Sequence, residues 1–192
     1  MFKRFVRKGP TLCLGPDRRR DRRHDSPPAD VHNRHRPETG TDLLTDFHPT
    51  ALEVQERLLA LGLDIEVRVL PDSTRTAVDA AAACGCGLGQ IVKSLVFLDA
   101  TSGEPVMCLW AGDRQVPTDE LGLRRASADE AREATGFAVG GVPPLGHDRL
   151  LRTVVDESLC RFDRLWCAAG TPNAVFEVET RALLGAVARL GT

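Results

Sequence analysis

A chain of 192 residues with 42% hydrophobic and 27% charged side chains is long enough to bury one sizeable core and has the composition of an ordinary globular domain. No apolar run approaches the roughly 20 residues that cross a bilayer, and the basic N-terminus lacks the uninterrupted apolar core of a secretory signal, so a cytoplasmic protein without membrane contact is expected. The formal charge of −2 hides an asymmetry: residues 1–45 hold 11 Lys+Arg against 6 Asp+Glu, net +5, and residues 46–192 hold 14 against 21, net −7. An acidic folded part argues against a broad electrostatic grip on nucleic acid; if the domain meets RNA, it should hold a terminus through a local pocket or be carried there by something else.

Residues 1–45 contain Asp17-Arg-Arg-Arg-Asp-Arg-Arg-His24 and Pro27-Pro28, with few large apolar residues after Leu14 and no period. They read as a disordered basic tail ahead of a single domain over 46–192. From Pro49, leucines at Leu52, Leu58, Leu59 and Leu61 with Glu53, Glu56 and Arg57 between them predict an amphipathic helix that Gly62 ends. Residues 65–70 alternate as a strand, Pro71-Asp-Ser-Thr74 is a turn, and Thr76 with Asp79 opens a helix that Gly85 stops. Residues 89–98 read as a buried strand, joined through Thr101-Ser-Gly-Glu104 to a second at 105–110. A short helix at 118–122, a strand at 123–126 and a helix at 128–135 follow, the last with a Ser127/Glu130 capping box and a Gly136 stop. Beyond an irregular loop come a strand at 153–156, a helical turn at 157–162, strands at 164–168 and 174–178 around Gly170-Thr-Pro-Asn173, and a final helix capped by Thr180. Hairpins mixed with helical connections predict an α+β domain with a mixed sheet.

Two stretches carry the chemistry. Lys93 is the one lysine beyond residue 8, and it sits in the middle of an apolar strand, sharing a face with Ile91, Leu95 and Phe97. Such a cation either snorkels to solvent or faces a cleft that takes an anionic ligand. The loop Gly136-Phe-Ala-Val-Gly-Gly-Val-Pro-Pro-Leu-Gly-His147 combines four glycines with a Pro-Pro pair. It is either an ordinary connection or a stiff cradle in which Gly140 and Gly141 offer bare amides to an anion. Because the loop follows a helix C-terminus, it cannot borrow a helix N-terminal dipole.

Other chemistries find little support. The six cysteines lack paired C-x-x-C spacing, so neither a metal site nor a cofactor is expected, and the thiols should be buried and reduced. Ser94 lies in no nucleophile elbow, His147 is a lone histidine beside the loop, and nothing in the spacing brings Asp113 and Asp156 face to face. The economical design is an oxyanion cradle of loop amides around a labile ester, with water or the substrate's own groups acting on it.

Gly89-Gln-Ile-Val-Lys-Ser-Leu-Val-Phe97, Ala111-Gly-Asp113, the loop from Ala134 to His147, and Ala169-Gly-Thr-Pro-Asn173 together resemble the YbaK family, freestanding relatives of the editing domain inserted in bacterial prolyl-tRNA synthetases. The resemblance runs from about Phe47 to near the C-terminus, with the blocks in the family's order. It implies a mixed, curved β-sheet flanked by helices, and hydrolysis of mischarged aminoacyl-tRNA, most readily proline tRNA bearing a wrong small amino acid. It also implies prolyl-tRNA synthetase as a partner. On that resemblance Lys93, Gly140 and Gly141 would be catalytic, and Thr74, Ser94, Phe137, Val139, Val142, Pro143, Gly146, His147 and Asn173 would contact substrate. Val142-Pro143 and His147-Asp148 depart from the branch that removes cysteine, so the amino acid stays open. The alternative is a non-catalytic module of the same fold that holds a tRNA end or an adenosine. The editing reading requires Lys93 and the loop amides to open onto one cavity.

Overall fold

In the computed structural model, which describes residues 48–70 and 76–190, Pro49 opens helix α1 (Pro49–Ala60) where its missing N–H leaves nothing unpaired. The tail expected over residues 1–45, and Thr74, lie outside the described residues. The stripe of α1 that enters the core is Ala51, Val54 and Leu58, at helical spacing, and Leu59 is exposed. Gly62 then takes a φ of +80°, as a helix stop does.

Strands β1 (Val67–Val69), β2 (Val92–Asp99), β3 (Pro105–Ala111), β4 (Leu123–Arg125), β5 (Arg152–Val155), β6 (Arg164–Ala168) and β7 (Ala174–Glu179) form two groups. One is antiparallel in the order β1-β7-β6, the other runs β4-β2-β3-β5 with β3 and β5 parallel. A parallel bridge between Ile91 and Trp166 joins the groups, so the domain is α+β around a mixed sheet, as expected. The first strand is shorter than the 65–70 pattern because β7 offers partners only to Val67, Arg68 and Val69.

Helices α2 (Ala77–Cys84), α3 (Thr118–Leu121), α4 (Ala128–Thr135) and α5 (Thr180–Arg189) follow the capping signals closely. Ser127 and Glu130 close the capping box of α4, and Thr76 accepts from the Asp79 N–H at the start of α2. Thr180 departs from expectation. It is the first residue of α5 with Glu179 at the cap, and its buried hydroxyl donates to the Phe162 carbonyl at 2.6 Å, tying the helix to the turn before β6.

The main core lies between the sheet and helices α1 and α5, with Leu58, Met107, Leu109, Phe176 and Leu183 fully buried. The loop closes one side of it through Phe137, Val142 and Leu145. On the reverse face, Ala80 and Ala81 of α2 pack on Ile91, Trp166 and Val175, and Phe97, Cys108 and Trp110 form a third cluster. Cys108 and Cys167 are buried free thiols, and Cys84 and Cys86 are free and half-buried. No helix of the described residues is long and apolar enough to cross a membrane.

Candidate active site

Strand β2 has β3 along one edge, but its other edge is shared. β4 pairs with Phe97, Leu98 and Asp99, and β6 meets it only at Ile91. Over residues 92–96 that edge has no strand partner among the described residues. A cavity of about 340 Å³ fills the notch. Lys93 and Ser94 of β2 line it, together with Val139, Gly140 and Val142 of the loop.

The notch explains how these residues meet. Lys93 stands opposite Trp110 and Ser94 opposite Leu109, so the two point to opposite faces of the sheet. The loop packs into the core on the Ser94 side, whereas Lys93 sits among the residues of the reverse face. At an open edge both faces border one space, and the cavity passes between them.

The Lys93 ammonium donates to the carbonyl of Arg114. Burial lowers its pKa, and the nearby Asp113 and Asp156 carboxylates oppose that fall. Both carboxylates are otherwise engaged. Asp113 receives two bonds from Arg161 at 3.0 and 3.1 Å. Asp156, 7% exposed, accepts from the Ala111 N–H, from the Ser158 N–H at 2.9 Å and from the Ser158 hydroxyl at 2.7 Å, with Arg114 Nε 3.7 Å away. The pair therefore serves as counter-charge to Lys93 and as anchorage for the end of β3, rather than as two facing acid–base groups. Gly89 allows this packing, since a Cβ there would come within 3.0 Å of Asp113 Oδ2.

In the loop, Gly141 donates to Ala138 O at 3.0 Å and Gly140 has a φ of +92°, the pattern of a type II turn. The turn spends one of the two expected amides. The Gly141 N–H is bonded, its carbonyl accepts from Gly170 N at 2.8 Å, and it does not line the cavity. A Cβ on Gly141 would lie 2.7 Å from Gly170 O, so this glycine permits close backbone approach to the turn before β7. The Gly140 N–H has no acceptor among the described residues, and Gly140 lines the notch.

Other expected contacts lie apart from the cavity. Phe137 is buried in the core, edge-on to the His147 ring at 6.1 Å between centroids. Pro143 is buried, and its carbonyl accepts from His147 Nε2 at 2.9 Å, which places the proton of the neutral ring on Nε2. Burial holds the His147 pKa below its ordinary value. Gly146 and His147 border a second cavity of about 350 Å³, near Arg57 and Leu150 on another side of the loop. Asn173 Oδ1 accepts from the Thr171 hydroxyl at 3.0 Å, and its carbonyl accepts from Leu70 N.

The structure adds residues that sequence reasoning missed. Arg125 of β4 lines the cavity, and Thr76 and Ala77 bring the start of α2 to it. Trp166 forms part of the wall and carries Arg68 over its ring at 5.4 Å. The Ser94 hydroxyl oxygen is buried with no hydrogen-bond partner. A buried polar atom without a partner calls for a reason, and a ligand in the cavity would supply one.

Comparison with known proteins bears on the family of the chain. Residues 71–186 match the aminoacyl-tRNA editing domain family. The uncharacterized protein YwhH of Bacillus subtilis is 29% identical over 124 residues, covering 62% of this chain and 78% of its own. A proline–tRNA ligase of Lactobacillus gasseri is 35% identical over 77 residues, 36% of this chain but only 13% of the ligase. Among solved structures, a proposed trans-editing enzyme for prolyl-tRNA synthetase superposes with a TM-score of 0.68 at 42% identity, covering 74% of this chain and 94% of that one. The hypothetical protein APE2540 does so with a TM-score of 0.64 at 32% identity, covering 70% and 93%.

Proposed function

The chain belongs to the aminoacyl-tRNA editing domain family, and from that premise we propose that it is a trans-editing hydrolase that deacylates mischarged aminoacyl-tRNA, with proline tRNA bearing a wrong small amino acid as its substrate. The observation that carries the proposal is the notch in the β2 edge, where Lys93 and the unbonded Gly140 N–H border one cavity. Its volume of about 340 Å³ lies at the lower end of small-molecule sites, roughly 300–1,000 Å³, and suits the aminoacylated terminal nucleoside while leaving the rest of the tRNA outside. The 42% identity to the proposed trans-editing enzyme supports the same direction.

In this reading the ester carbonyl oxygen lies against the Gly140 N–H, and Lys93 turns from Arg114 toward the ribose or phosphate of the bound end. Water adds to the carbonyl carbon, the amide stabilises the oxyanion, and the ribose oxygen leaves with a proton, giving free amino acid and uncharged tRNA. One such donor is worth about 10²–10³ in rate, sufficient for an ester that is already labile. No cofactor is needed. Ser94, Val139 and Val142 contact the aminoacyl group, and these three uncharged side chains suit a small amino acid. Gly141, Phe137, Pro143, Gly146 and His147 act by holding the loop, Asn173 flanks the site, and Thr74, outside the described residues, is the substrate contact that the family resemblance implies. Prolyl-tRNA synthetase is the protein partner, a reading supported by the match to part of a proline–tRNA ligase. The functional unit spans 46–192, since α1 shares its core with β7 and α5.

A second reading, a module that binds the tRNA end without turnover, is favoured by two observations. No histidine lines the cavity among the described residues, and the Lys93 ammonium is engaged by the Arg114 carbonyl. Proline tRNA charged in turn with a panel of amino acids separates the two. Release of the amino acid by the native chain but not by Lys93→Ala supports the hydrolase, whereas binding without release on every substrate supports the module.

A further inference from the structure

Two cationic side chains line the cavity among the described residues, Lys93 and Arg125. They are held differently. Lys93 donates to Arg114 O, with the Asp113 and Asp156 charges nearby. Arg125 is exposed on β4, and its guanidinium has no carboxylate or hydrogen-bond partner among the described residues. Its neighbours are committed: Arg124 is tied to Glu130 at 3.0 Å, Arg114 lies by Asp156 and Arg161 is bonded to Asp113. In a part of the chain with a net charge of −7, a free arginine at the cavity mouth is a local attractor for an anion.

The rest of the argument depends on the editing reading above. A cavity of about 340 Å³ takes the aminoacylated terminal nucleoside, so the phosphodiester joining that nucleoside to the preceding one must cross the rim. We infer that Arg125 binds this phosphodiester, so that the acceptor strand leaves the cavity over the corner between β4 and α4. A guanidinium can meet two phosphate oxygens at once, a geometry that a lysine does not reproduce. Arg125 is thus a substrate-binding residue that sets the direction of entry. The side chain holds nothing else in place, and β4 pairs with β2 through its backbone, so replacing it leaves the fold intact.

The test uses the full chain and two unhydrolysable probes: alanine joined by an amide to 3′-amino-3′-deoxyadenosine, and the same terminus extended by a 5′ phosphodiester to cytidine. The native chain should bind the extended probe more tightly. Arg125→Gln should lose about tenfold on the extended probe, the order of one charge-assisted hydrogen bond, and nothing on the short one. Arg125→Lys should recover part of that loss. The slope of log affinity against log salt for the extended probe should fall by ~0.7 in Arg125→Gln, the value for one single-strand phosphate contact. Equal losses on both probes, or no loss on either, overturn the inference and leave the editing reading standing. If the native chain binds neither probe, the two fall together.

Discussion

The Lys93 ammonium donates to the carbonyl of Arg114, whose own guanidinium lies 3.7 Å from the buried Asp156. The lysine is therefore parked on the polypeptide, and its release costs one hydrogen bond that a substrate anion can replace. Lys93→Ala should reduce single-turnover deacylation of mischarged proline tRNA by ~10² or more. Lys93→Arg should not restore it, because the planar fork cannot occupy the same site as a compact ammonium. The melting temperature should hardly move, since Asp113 and Asp156 keep their arginines. Full activity in the alanine variant would exclude a catalytic lysine.

The unpartnered Ser94 hydroxyl gives a test in which stability and activity move apart. Ser94→Ala removes a buried polar atom that has no partner, so unfolding should be unchanged or up to about 1 kcal/mol harder. If substrate supplies the missing bond, KM for the aminoacyl-tRNA rises at the same time. Urea unfolding and steady-state kinetics on one preparation would reveal the divergence; a parallel loss of both would show that the hydroxyl is structural.

Adjacent glycines should respond unlike one another. Gly140→Ala places a Cβ at a φ of +92°, which costs about 1–2 kcal/mol and perturbs a residue that lines the cavity. Gly141→Ala puts a Cβ 2.7–2.9 Å from the Gly170 and Thr171 backbone, an overpacking of about 1–3 kcal/mol that should displace the whole loop. Calorimetry on the two variants is the check, and the Gly141 variant should also lose the close contact with the β6–β7 turn.

His147 makes the loop sensitive to acid. Its folded pKa lies below the ordinary value of 6.5 because the ring is buried. The unfolded chain therefore takes up a proton near pH 6.5 while the native ring stays neutral. The resulting stability is fully present above that pH and is lost as pH falls toward the folded pKa. The urea midpoint should drop between pH 8 and pH 5.5, and His147→Gln, whose amide can still donate to Pro143 O, should show a smaller drop. An equal drop would assign the sensitivity to other groups.

The elements were legible wherever their signals are local. Ser127 with Glu130, Thr76 with Asp79, and the stops at Gly85 and Gly136 each rest on contacts within a few residues, and all appear where the pattern puts them. What escaped is what depends on distant partners. The bridge from Ile91 to Trp166 spans 75 positions of sequence, and without it nothing suggests that β2 loses its neighbour over five residues. Arg125 read as one more strand arginine, because only the pairing of β4 with Phe97 carries it to the cavity. Glycine content announces a shaped loop but not which amide the turn consumes: the sequence offers Gly141 as a donor, and in the structure its N–H closes the turn.

The short interval without a pairing strand bears on self-association as well as on chemistry. Unpaired rungs along a flat sheet margin invite a strand from another molecule, the first step of many aggregates. Here the interval covers only residues 92–96, is closed at either end by β4 and β6, and is roofed by α2 and the turn at Gly140. Strands β4 and β6 at the two ends of the interval leave an intruding strand little room to pair. A thin, flexible nucleotide end fits where a β-ribbon does not, and the same enclosure keeps a vulnerable backbone from templating fibrils.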